Sequence, residues 1–80
     1  MSEAIIVIPQ QLGPILKGYR QKLKMTQAQA GAKAGLPQNA ISLIETNAGS
    51  TSLERLAKIL SALELEFVIR PRSKPTDQAW

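Results

Sequence analysis

Met25-Thr-Gln-Ala-Gln-Ala-Gly-Ala-Lys-Ala-Gly-Leu-Pro-Gln-Asn-Ala-Ile-Ser-Leu-Ile-Glu45 is the stretch whose reading decides the fold. Thr26 and Gln29 make a Thr-x-x-Gln capping box, in which each side chain satisfies an orphan backbone amide of the other. The box predicts a helix over about 27–34. Nearly every residue in it is small: Ala28, Ala30, Gly31, Ala32 and Ala34. A glycine inside a helix costs up to ~1 kcal/mol relative to alanine, so Gly31 implies close approach of a neighbouring helix. Gly35 ends the helix as a left-handed C′ residue. Leu36-Pro37 then opens a helix of about 37–46, with Ile41 and Ile44 facing inward. The unit is a helix, a tight glycine turn and a second helix.

Upstream, Leu12, Ile15, Leu16, Tyr19 and Leu23 follow the i, i+3, i+4, i+7, i+11 spacing of one helix stripe, which predicts a helix over roughly 11–24. Pro14 falls in its first turn, where backbone amides lack partners in any case. Tyr19 lies on the stripe and belongs to the core. Downstream, the loop Thr46-Asn-Ala-Gly-Ser50 leads to a second box, Thr51 with Glu54. This predicts a fourth helix with the stripe Leu53, Leu56, Ala57, Leu60 and Leu63. Leu65, Phe67 and Ile69 then alternate with Glu66, Val68 and Arg70, the period of a half-buried strand ended by Pro71. Residues 4–8 are a β-branched run bounded by Pro9 and read as a second short strand. No internal repeat is visible.

Length and composition bound the rest. Eighty residues allow one domain, divided as an arm or strand at 1–9, a folded body at 10–70 and a polar, proline-bearing tail at 71–80 that reads as mobile. A lone core of this size supplies ~3–5 kcal/mol. The chain has no cysteine and no histidine, which removes disulfides and the usual metal ligands as remedies and leaves oligomerisation. Two short strands lack partners within one chain. Pairing Leu65, Phe67, Val68 and Ile69 with their copies in a second subunit, flanked by Ile5–Ile8, would satisfy them. The fold class is therefore mainly all-α, four to five helices, with a short C-terminal strand pairing across a homodimer.

Ten Lys and Arg against six Asp and Glu give a net charge of +4 and a pI near 9.9. The sign is segregated. Lys17, Arg20, Lys22, Lys24 and Lys33 lie between Ala4 and Ile44 with no acidic residue among them. Such a field over a helix-turn-helix pattern suits a polyanion, because released counterions supply much of the affinity for a phosphate backbone. Gln38, Asn39 and Ser42 are the outward polar positions of the second helix. Glutamine and asparagine can both donate to and accept from an adenine edge, serine suits base or phosphate, and the Ala40 methyl suits a thymine methyl. Gln27, Lys17, Lys22, Lys24, Lys33 and Thr46 are candidates for phosphate contacts.

Enzyme chemistry is disfavoured. A site would need Ser, Lys and Glu without a motif, and no glycine-rich phosphate loop is present. No catalytic residue, metal or cofactor is expected. The apolar run Ala4–Ile8 is far too short to cross a bilayer and lacks the marks of an export signal, so the reading is cytoplasmic with no membrane partner.

Thr26-Gln27, Ala30-Gly31, Gly35-Leu36, Ile41-Ser42, Ile44-Glu45 and Asn47 together resemble the Cro/cI-type (XRE) helix-turn-helix family over residues ~11–64. Pro9-Gln-Gln-Leu12, Arg20-Gln21, Gln38, Leu60-Ser-Ala-Leu-Glu-Leu65, a C-terminal strand and a tail ending in tryptophan resemble one branch, the HipB-like antitoxins. The resemblance implies a bacterial, nucleoid-associated homodimer that binds an inverted-repeat operator of its own operon and holds a HipA-like serine/threonine-kinase toxin inactive. It also implies an ion pair between Arg20 and Glu45. Apart from the resemblance, Trp80 on the tail reads either as inert or as an anchor into a pocket on a partner, since tryptophan is enriched among binding hot spots. Two departures stand out. Ala30 and Gly31 replace the usual leucine and alanine, and Pro37 replaces a serine or lysine before Gln38. The alternative is a stand-alone phage-type or metabolic repressor without a toxin.

Overall fold

The computed structural model describes residues 4–72. Asp77 and Trp80 lie outside them. Four helices, α1 (Leu12–Lys22), α2 (Gln27–Ala34), α3 (Gln38–Thr46) and α4 (Leu53–Ala62), follow one another, with single 3-10 turns at Pro9–Gln11 and Ala48–Ser50. Helix α3 packs on α1 and α2, and α2 packs on α4. Leu16, Ala30, Ile41, Ile44, Ile59, Leu60, Ala62 and Leu63 form the buried centre, with Leu12, Tyr19, Met25, Leu36, Leu56 and Leu65 against it.

Local chemistry sets the helix ends. Thr26 Oγ1 accepts from the Gln29 amide at 3.0 Å, and Gln29 Oε1 accepts from the Thr26 amide at 2.8 Å. Three helices end in the same way. The residues after the last turn, Lys24, Gly35 and Glu64, take left-handed φ values of 58°, 72° and 60°. In each, the next amide reaches back five residues: Met25 to the Arg20 carbonyl, Leu36 to Gly31 and Leu65 to Leu60. These are Schellman closures, which satisfy the last carbonyls of a helix. Only one of the three has the glycine that this backbone favours.

The structure corrects three expectations. Helix α4 is capped by Ser52, whose hydroxyl accepts from the Arg55 amide at 3.1 Å, instead of by Thr51 with Glu54. Thr51 Oγ1 is buried without a hydrogen-bond partner among the described residues. The inward stripe of α4 is Leu56, Ile59, Leu60 and Leu63. Leu53 is 71% exposed and Ala57 is also exposed. Both registers share Leu56, Leu60 and Leu63, and packing on α2 selects the bulkier Ile59 over Ala57. Gly31 is needed chiefly by its own turn: a Cβ there would lie 2.6 Å from the Leu36 carbonyl and 3.4 Å from Ile41 Cγ1.

The two segments read as strands are irregular chain without sheet pairing among the described residues, with a bend at Val7 and Ile8. Ile5 to Ile8 are exposed. The amides of Val7 and Ile8 donate to Gln11 Oε1 at 2.6 and 3.0 Å. Phe67 and Val68 are exposed and Ile69 is fully so, whereas Leu65 turns back onto the core.

Two substitutions test this account. Lys24→Gly and Glu64→Gly should each stabilise by about 0.5–1 kcal/mol, the left-handed penalty of a side chain less the extra chain entropy of glycine. A higher urea midpoint at unchanged slope, at one protein concentration, is the expected reading. Gly13→Ala should do the opposite, because its Cβ would collide with the Glu45 carbonyl where α1 crosses α3. A loss of about 1–3 kcal/mol is expected.

Candidate nucleic-acid interface

Arg20 on α1 and Glu45 on α3 are both buried, each 9% exposed. Arg20 Nε donates to Glu45 Oε2 at 2.6 Å and Nη2 to Oε1 at 3.2 Å. Its remaining arm, Nη1, donates to the Met25 carbonyl at 2.7 Å. The planar fork thus meets the carboxylate bidentately and also holds the turn between α1 and α2.

The network continues toward the surface. Gln27 Nε2, in the first turn of α2, donates to Glu45 Oε1 at 3.1 Å. Gln38 Nε2, the first residue of α3, donates weakly to Gln27 Oε1 at 3.5 Å. A buried charge pair therefore orients one exposed amide through another. Gln27 is engaged at both its carbonyl and its amide nitrogen, so it acts less as a free phosphate ligand than as a brace for Gln38.

The α3 surface divides cleanly. Ala40, Ile41, Ile44 and Glu45 face the core. Gln38 and Asn39 are exposed and Ser42 is half-buried beside them. Ala40 is 3% exposed, so its methyl cannot meet a base, which corrects the sequence reading. At this position a helix turns one residue further round than the Ile41–Ile44 pair alone suggests, and α3 buries that flank against its neighbours. The Thr46 hydroxyl donates to the carbonyls of Ser42 and Leu43 at 2.9 and 3.4 Å, so its proton is committed within its own helix. Lys17, Lys22, Lys24 and Lys33 are all exposed. Lys22 and Lys24 stand at the end of α1, just before α2, and Lys33 stands in the last turn of α2, just before α3. Pro37 caps α3 without a side-chain hydrogen bond.

Sequence reasoning passed over Leu43. It is 41% exposed on the outward face of α3, one turn beyond Asn39. The signal was available: once Ala40 and Ile41 face inward, position 43 must face out.

A braced helix pair with polar groups at the exposed start of the second helix defines the class, a helix-turn-helix protein. The helix-turn-helix family matches residues 16–69. The chain is similar to antitoxin HipB of Escherichia coli O6:H1, with 39% identity over 69 residues, 86% of this chain and 73% of that protein. HipB of Escherichia coli K12 is 38% identical over 69 residues, covering 78% of that protein. A solved complex of a HipB variant with an O2 20-mer superposes with TM-score 0.83 at 37% identity, over 91% of this chain and all of that one. The HipA–HipB–O2–O3 complex superposes at TM-score 0.82 and 35% identity, covering 90% of this chain and 100% of that one. The chain belongs to the HipB antitoxin branch of the helix-turn-helix family.

Removing one member of the buried pair leaves the other charge without compensation. Glu45→Ala should lower unfolding free energy by about 3–5 kcal/mol in chemical denaturation. Gln27→Ala should cost far less stability, since that side chain is half-buried and its loss strands no charge.

Proposed function

We propose that this chain is a dimeric antitoxin that binds an inverted-repeat operator, represses its own operon, and neutralises a HipA-like serine/threonine-kinase toxin. The observation that carries the reading is exposed Gln38 and Asn39 with half-buried Ser42 beside them at the start of α3, Gln38 being braced from beneath by Gln27, Glu45 and Arg20. Polar groups that can both donate and accept are what base edges in the major groove demand. The exposed lysines around them supply the phosphate contacts that hold the register. The solved HipB–O2 20-mer and HipA–HipB–O2–O3 complexes support the proposal.

Dimerisation follows from the exposed apolar ends. Phe67, Val68 and Ile69, and separately Ile5–Ile8, are exposed apolar segments that pairing as strands with a second copy would cover. Two recognition helices about 34 Å apart would then read half-sites one turn apart. The alternative reading is a stand-alone phage-type or metabolic repressor with no toxin partner.

Two experiments test the proposal. Gln38→Ala should cost about 1–3 kcal/mol on the operator and little on random duplex, whereas Lys22→Ala or Lys33→Ala should weaken both and flatten the salt dependence by about one unit of slope. Equal losses on both duplexes for all three variants would end the division of labour. Co-expression with a HipA-like kinase should yield a stoichiometric complex with suppressed kinase activity. No complex, with operator binding intact, would leave the repressor without the toxin.

A further inference from the structure

We propose that Leu43 is a specificity determinant that reads the 5-methyl group of thymine in the major groove. The proposal rests on α3 being the base-reading helix and adds a residue that the polar trio does not include. Asn39, Leu43 and Thr46 stand at i, i+4 and i+7, the spacing of one straight ridge on a helix. Ala40, Ile41, Ile44 and Glu45 occupy the opposite, core-facing side. The ridge is therefore the part of α3 furthest from the core, with Gln38 and Ser42 on its flank.

Leu43 is the large apolar side chain exposed on α3 among the described residues. Within a packed groove it can neither donate nor accept a hydrogen bond. Against guanine, adenine or cytosine edges it would strand polar atoms. The thymine methyl is the apolar group that a B-form major groove offers. An exposed leucine one turn behind Asn39 thus selects a thymine next to the base pair that Asn39 addresses. It takes the part that buried Ala40 cannot play.

The test uses the full chain and its preferred duplex, selected from a random pool. Each thymidine in turn is replaced by deoxyuridine, which deletes only the 5-methyl. Wild type should lose about fourfold in affinity at one thymidine per half-site, the worth of one buried methyl. Leu43→Ala should bind the thymidine duplex about as weakly as wild type binds the uridine one, and should no longer distinguish the two. Circular dichroism should show the variant folded, since the side chain lies outside the core. Gln38→Ala should keep the thymidine preference while binding more weakly. Wild type indifferent to uridine at every position, or Leu43→Ala retaining the preference, overturns the proposal. Failure of wild type to enrich any duplex from the pool overturns the DNA-reading function itself, and this inference with it.

Discussion

The fold turns on a single buried carboxylate. Glu45 sits on the inner face of α3, accepts two hydrogen bonds from the Arg20 guanidinium of α1, and accepts a third from Gln27 of α2. One side chain therefore fixes three helices relative to one another. Burying such a pair costs desolvation of both ions, and the return in net stability is small. Its return in geometry is larger, because a bidentate fork tolerates little rotation. Apolar packing alone would hold α3 against the core while permitting several rotations of its outer face. The ion pair admits one.

That constraint has unusual value in a core this small. Helix α2 contributes only the small residues Ala30 and Gly31 to the buried centre, and a Cβ at Gly31 would already meet the Leu36 carbonyl and Ile41. Much of the definition comes instead from directed bonds: the Thr26–Gln29 box, the Ser52 cap, and three Schellman closures. Two of those closures carry lysine or glutamate at a left-handed position, and each costs free energy that glycine would spare. The same chain leaves Phe67, Val68, Ile69 and the Ile5–Ile8 arm exposed. A small single-chain core with exposed apolar segments at both ends is the condition under which association between copies becomes part of folding.

The recognition face shows the chain of cause from core to surface. Arg20 holds Glu45, Glu45 holds Gln27, and Gln27 steadies Gln38 at the exposed start of α3. Each step trades burial for exposure, ending at a group that water or a base edge can reach. Pre-organising Gln38 in this way reduces the rotamer freedom it would otherwise lose on binding. Asn39 and Leu43, further round the helix, stand outside that network, so the polar and apolar parts of the face differ in how firmly they are held.

Much of this was legible in the residues, wherever the physics is local. A capping box spans four positions and a glycine stop two, so Thr26 with Gln29 and Gly35 announced their helices without help from the rest of the chain. Opposite charges that are absent from a sequence cannot be restored by folding, so the basic half was plain as well. Tertiary structure decided whatever depended on a neighbour. Thr51 and Ser52 are equally good caps on paper, and only the docking of α4 chose between them. Ala57 and Ile59 both fit a helical stripe, and contact with α2 chose the larger. Ala40 looked outward from spacing alone, until packing rotated α3 to bury it and left Leu43 exposed. Short-range hydrogen bonds are written in adjacent residues, while the rotation of a helix about its axis is set by what it packs against.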